Sequence, residues 1–252
     1  MALLPEGTLI AETITQATYE SQTLAVVAGL VCPQDVCFDI GGHYGYFTLS
    51  LAKRASVGEV HTFEPVSTHA SRIRKAAEKS GLGHVTVHEV AMAGAEGQML
   101  LRFADCDDAD DSMAYLEKYG GVDTDAADAH YGKFASTMVR TRTLDSLIGE
   151  LPIPNFVKID AEGAEASIIQ AGLKLISASK PRLLIEVHGV YESLACTELL
   201  QSINYRAIIF TDQKATCPVL WVAQDDDEAL RIVTNVIGHE PTVLFDSVCD
   251  AN

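Results

Sequence analysis

Short apolar runs and helical stripes take turns along this chain. The run "DVCFDI" (residues 35–40) leads into an apolar-periodic segment from about Tyr44 to Arg54, and "EVHTFEP" leads into "STHASRIRKAAEKSG", which ends on the C-cap-like Gly81. A third run, "HVTVHEVAMAG", follows. Later, "NFVKIDAEG" opens into "AEASIIQAGLKLI" and "PRLLIEVHG" into "ESLACTELLQSI". Strands that are apolar on both faces and separated by helices predict a parallel sheet covered on both sides. The last two runs, "YRAIIFTD" and "CPVLWVAQ", are joined by a short loop, which predicts an antiparallel pair at one edge. The fold class expected is therefore α/β, a doubly wound and mostly parallel sheet of seven strands.

The alternation breaks once, between residues 94 and 154. There "GQMLLRF" and "TMVRTRTL" read as the two strands of an inserted hairpin, and an acidic stretch from Ala104 to Phe134 hangs between them. Loops of that length are commonly lids or binding loops, so this one is expected to cover the site, with Ser112, Tyr115 and Tyr131 lining an acceptor pocket. Residues 1–30 read as an N-terminal helical segment. With 252 residues, 48% of them hydrophobic, the whole of 1–252 is expected to form one domain.

Charge and cysteine content narrow the function. Eighteen basic and 35 acidic side chains leave a formal charge of −17, a field that repels nucleic acid and anionic membranes. Nine acids lie between Asp105 and Asp128 with only Lys118 against them, a local charge of −8 that hints at a cationic or polyhydroxyl acceptor. No apolar run is long enough to span a bilayer and the N-terminus lacks the pattern of a signal peptide. The six cysteines, at 32, 37, 106, 196, 217 and 249, form no CxxC pair and read as reduced packing residues. A cytoplasmic protein with no nucleic-acid or membrane partner is expected.

The chemistry begins at "VCFDIGGHYGYFT". Gly41, Gly42 and Gly45 follow a strand and precede a helix, where glycine lets the backbone turn tightly and come close to a ligand. Glu64, 19 positions after Gly45, ends the next strand and is placed to accept hydrogen bonds from a ribose. A nucleoside-containing cofactor is the expectation. The spacing is not the G-x-G-x-x-G of dinucleotide binders, and Asp39 just before it favours a ligand with a positive group over one with a pyrophosphate. Asp39 has a second reading, as a cap on the helix that follows.

Five strings, "FDIGGHYGYFT", "FEPV", "TLDSL", "VKIDAEGAE" and "LLIEVH", stand in the order and roughly the spacing of the FkbM family of S-adenosylmethionine (SAM)-dependent methyltransferases, and the resemblance runs from about residue 18 to residue 225. It implies the Rossmann-like class I methyltransferase fold, SAM as donor with S-adenosylhomocysteine as product, and a small-molecule acceptor such as a sugar or polyketide hydroxyl. Methylation of an amine, or a module that only binds, are the alternatives. Under the resemblance Asp39 lies near the methionine end of SAM, Gly41, Gly42 and Gly45 form its loop, Glu64 takes the ribose, and Val90 and Ala91, ending the third strand, flank the adenine. The family usually has Ala at the position of Gly42 and often Asn at that of His43, differences that read as tolerable.

Acceptor chemistry falls to "KIDAEGAE" and "IEVH". Asp160, at the end of the fourth parallel strand, is expected beside the methyl-transfer site, and Glu162 faces the same cleft. Glu165 reads as structural, and Lys158 as reaching along the sheet to an acid. Glu186 and His188 are expected on one face of the fifth strand, with His188 as general base because an ordinary imidazole is better matched to neutral pH than a carboxylate. Asp160, Glu162 and His188 also make a donor set for a divalent ion, but a metal-free site is expected.

Overall fold

The computed structural model describes residues 20–104, 114–118, 134–210 and 218–246. In chain order the elements are α1 (Ser21–Leu30), β1 (Val36–Ile40), α2 (Tyr46–Arg54), β2 (Glu59–Phe63), α3 (Ser67–Lys79), β3 (Val85–His88), β4 (Ala91–Met92), β5 (Gly97–Ala104), β6 (Ala114–Leu116) and β7 (Phe134–Arg142). A 3-10 turn over Asp145–Leu147 precedes β8 (Phe156–Ile159), α4 (Glu165–Gln170), α5 (Leu173–Ser179), β9 (Arg182–Glu186), α6 (Val190–Ser202), β10 (Tyr205–Ile209), β11 (Pro218–Ala223), α7 (Asp227–Ile237) and β12 (Thr242–Leu244).

The main sheet has the order β12-β10-β11-β9-β8-β1-β2-β3. Strands β3, β2, β1, β8 and β9 are parallel neighbours, and β11 runs antiparallel to both β9 and β10. The expected antiparallel edge is there. An eighth strand, β12, extends the predicted seven: its Thr242–Leu244 pairs antiparallel with Ala207–Ile209 of β10.

Strand alternation explains the two layers. Cys37, Val60, Phe156 and Leu184 point to one side and pack with Val26, Val27 and Leu30 of α1, Phe47 and Leu51 of α2, and Ala229 and Val233 of α7. Phe38, Phe63, Val157, Ile159, Leu183 and Ile185 point to the other, against Ile168 and Ile169 of α4, Ile176 of α5 and Leu200 of α6. At about 25 cal/mol per Å² of apolar surface buried, these two clusters are the main stabilising term of the fold.

Chain order along the sheet reverses between β1 and β8: β1, β2 and β3 step outward one way, and the chain then returns to place β8 on the other side of β1. In open α/β sheets ligands settle at the carboxyl ends of the strands at such a reversal. Gly41 follows β1 there and Asp160 follows β8.

A second sheet, β4-β7-β5-β6, carries its own cluster of Val66, Ala91, Ala93, Leu101, Leu116 and Val139. In it β5 and β7 pair antiparallel from Gly97↔Thr141 to Ala104↔Phe134. The third run of the sequence is split: β3 ends at His88, and Ala91 opens β4, which pairs with β7 rather than continuing the main sheet. Of the expected lid, β6 and the turn at 117–118 are described, and Tyr115 in β6 is buried; Ser112, Tyr131 and most of the acidic stretch lie outside the described residues. Among the described residues no helix is long and apolar enough to cross a membrane.

Candidate functional site

The glycine loop is built by its surroundings. Gly41 has φ +78°, and a Cβ there would stand 1.8 Å from the Asp160 carbonyl oxygen, so both the backbone angle and the close approach of β8 require glycine. Gly45, at φ +85°, caps α2, which starts at Tyr46, two residues later than the apolar periodicity predicts. Gly42 departs from what the sequence implied. A Cβ at this position would come within 2.3 Å of Thr62 Cγ2, so the volume an alanine needs is already filled from β2.

Beneath the loop lies Asp39, with no solvent exposure. Thr62 donates to the Thr48 hydroxyl (3.2 Å), which donates in turn to Asp39 Oδ2 (2.6 Å). Asp39 Oδ1 has no hydrogen bond but lies 3.8 Å from Lys158 Nζ. Burial pushes its pKa up, while Lys158 and Thr48 work against that shift. Asp39 thus reaches α2 through a side chain, not through the backbone N–H groups of the cap reading.

Glu64, just past β2, is buried, and both its oxygens are held. Oε2 accepts from the His43 N–H at 2.7 Å and Oε1 from the Val66 N–H at 2.8 Å, with His69 Nδ1 at 3.8 Å from Oε1. The carboxylate ties the glycine loop to the start of α3. His43 takes a left-handed φ of +47° and packs its ring against Tyr44 and His69, the loop-packing role expected of it. Val90, also buried, belongs to the main core, whereas Ala91 belongs to the second-sheet cluster.

Across the reversal stands the acidic group. Lys158 lies along the sheet as predicted: its Nζ donates to Asp160 Oδ2 (3.1 Å) and to the Gly41 carbonyl (3.2 Å). Burial would lower the Lys158 pKa, but Asp160 and Asp39 outweigh it and hold it above the usual lysine value. Glu162 has φ +47° in the turn before α4. Glu165 is fully buried, accepts from the backbone N–H of Ala161 and Gly163, and lies 2.9 Å from His188 Nδ1.

His188 sits beyond β9, which ends at Glu186, in the coil leading to α6 and not on the strand. Its Nε2 faces Glu162 Oε2 at 3.5 Å and Asp160 Oδ1 at 3.9 Å. Burial alone would lower its pKa, but Glu165, Glu162 and Asp160 push it up to about 9. These carboxylates favour the protonated ring, which weighs against His188 as general base; Glu165, read in the sequence as structural, is the partner that spacing did not link to it. Burial raises Glu162 to about 7, helped by Asp160, Glu165 and Glu186 and opposed by His188.

The structure thus brings together Asp160, Glu162 and His188 on one side, and Asp39, Gly41, Gly42 and Glu64 on the other, with Lys158 between them. Thr48 and Thr62 went unnoticed in the sequence, where a hydroxyl on a helix or strand carries no distinctive pattern.

Residues 39–207, more than half of the chain, match the model of the methyltransferase FkbM domain. Among solved structures, the methyltransferase FkbM from Methylobacillus flagellatus KT superposes with a TM-score of 0.54 at 16% identity, over 84% of this chain and 60% of that one. This chain therefore spans about three-fifths of that protein's length. A putative methyltransferase from Streptococcus mutans in complex with SAH (TM-score 0.48, 11% identity, 80% and 94% covered) and a putative O-methyltransferase from Klebsiella pneumoniae (0.45, 15%, 87% and 84%) are more distant likenesses. No curated protein matches the sequence. With that model matched over residues 39–207, from the end of β1 into β10, the chain belongs to the FkbM methyltransferase family.

Proposed function

We propose that this protein transfers a methyl group from SAM to a hydroxyl oxygen of a small, polar acceptor. The observation that carries the reading is Glu64. Its carboxylate is held at the strand reversal by two backbone N–H groups, beside a loop whose Gly41 lies against β8, and its remaining lone pairs suit it to accept from the hydroxyl pair of a ribose. When bound, SAM supplies an activated methyl on a sulfonium. Asp39 acts from below, holding Thr48 and facing Lys158, so that it shapes the loop without touching the ligand.

Methyl transfer asks the protein to align an acceptor and receive its proton. Asp160 and Glu162 offer carboxylate oxygens at the carboxyl edge for that proton, and His188 Nε2 faces both of them. The carboxylate-rich rim and the charge of −17 favour a polyhydroxyl or cationic small molecule over nucleic acid, in keeping with a cytoplasmic enzyme of small-metabolite chemistry.

Glu64→Ala should weaken S-adenosylhomocysteine binding at least about tenfold, since loss of a hydrogen bond to a charged acceptor costs roughly 1.5–3 kcal/mol. Calorimetry on a variant whose thermal unfolding stays cooperative measures this. Unchanged affinity would remove Glu64 from the cofactor site. Labelled SAM offered with a panel of alcohols and amines separates O- from N-methylation.

A further inference from the structure

Asp160, Glu162 and His188 each present one donor atom, and the three atoms lie within 4.8 Å of one another. Adjacent ligands about 2.1 Å from a metal stand roughly 3.0 Å apart in an octahedron and 3.4 Å apart in a tetrahedron, by the geometry of those bond lengths. The observed 3.5 Å from His188 Nε2 to Glu162 Oε2 and 3.9 Å to Asp160 Oδ1 need only small side-chain rotations to reach either.

A second feature stands behind the imidazole. Metal-bound histidines commonly give their other ring nitrogen to a carboxylate, which fixes the ring and strengthens the ligand. Glu165 does this here: it is fully buried, anchored by the Ala161 and Gly163 N–H groups, and 2.9 Å from Nδ1, so that Nε2 is the nitrogen left facing the two carboxylates. Asp160 is fixed in a similar way, with Oδ2 on Lys158 and Oδ1 turned to the cluster. The carboxylates of residues 160, 162 and 165 converge on one imidazole, with Lys158 on the far oxygen of Asp160, so the cluster gathers oxygen and nitrogen donors suited to a cation.

We propose that Asp160 Oδ1, Glu162 Oε2 and His188 Nε2 bind one divalent cation of borderline hardness, such as Mn²⁺, at the acceptor side of the site. The cation takes the place of the Nε2 proton. It revises the expectation of a metal-free site and deepens the proposed reaction, on which its catalytic meaning rests. Bound at the carboxyl edge, it would orient an acceptor hydroxyl or vicinal pair of hydroxyls and make the oxygen easier to ionise, the proton leaving to solvent water, so that Asp160 and Glu162 serve as ligands in place of the proton-accepting role given them above.

Mn²⁺ alone, titrated into the chelator-treated protein, tests this without turnover. Electron paramagnetic resonance should show one ion bound per chain, with a ¹⁴N coupling from the imidazole. His188→Gln should abolish that coupling, and both His188→Gln and Glu162→Gln should weaken Mn²⁺ binding tenfold or more. Calorimetry with S-adenosylhomocysteine on the same samples shows that the variants are folded and keeps the two proposals apart. S-adenosylhomocysteine binding without Mn²⁺ binding, or Mn²⁺ binding that the variants leave unchanged, overturns the metal site alone. Mn²⁺ binding without S-adenosylhomocysteine binding overturns the SAM reading and leaves the metal site standing.

Discussion

At position 42 a single missing methyl sets the packing of the loop. The hydrogen atom of Gly42 faces Thr62 Cγ2, and Thr62 in turn leads through Thr48 to Asp39, so the loop, β2, α2 and β1 are fitted together at one point. Gly42→Ala should destabilise the fold by about 1–3 kcal/mol, the usual range for overpacking, even though relatives commonly carry alanine at this position. The double variant Gly42→Ala, Thr62→Ser removes the opposing methyl and keeps the hydroxyl, so chemical denaturation should show most of the loss recovered. Equal stability of the single variant and the parent would mean that the contact relaxes freely. His188 shows the opposite limit of sequence reading. Its neighbours along the chain carry no hint of its partners, because Glu162 and Glu165 reach it from the turn after β8 and the first residue of α4.

Among the elements, α7 is held by its first turn. Its cap Asp226 accepts from the Ala229 N–H at 3.0 Å and receives two hydrogen bonds from Arg182, at 2.8 and 3.1 Å, across from β9. Arg182 also donates to the Leu30 carbonyl at the end of α1, so one guanidinium links the sheet to two of the helices of that face. Asp226→Ala removes cap and ion pair together and should cost about 1–3 kcal/mol, measured by urea denaturation. Asp226→Asn keeps an acceptor for the cap and should lose less. Elements of this kind were legible where the pattern was local and strong. The five parallel strands, α3 with its Gly81 stop, and the β10–β11 edge all follow from apolar period and punctuation. The start of α2 moved because Gly45, not Tyr44, has the left-handed backbone that ends the loop. The eighth strand was hidden because Thr242–Leu244 is three residues long behind Pro241, too short to show a period. The split after His88 was hidden as well, since "HEVAM" reads as unbroken strand and only pairing with β7, about fifty residues on, divides it.

For the molecule as a whole, the placement of the candidate site follows from the strand order, and the glycine loop with its distant acid was legible from spacing alone. The acceptor half was legible only as a list of residues. Their roles depend on distances across the β8–β9 pair, which spacing along a chain does not encode. One contact made by Glu64 reaches further. Because it joins His43 to Val66, it closes the loop onto α3 through contacts within the chain itself, so the cleft floor should not need a ligand to form. Association should then be a single encounter. Stopped-flow mixing with S-adenosylhomocysteine is expected to give an observed rate that climbs linearly with concentration. In Glu64→Ala, where the loop must find its shape first, the rate should bend toward a plateau set by that rearrangement. A plateau in the parent protein would instead place a slow opening step ahead of binding.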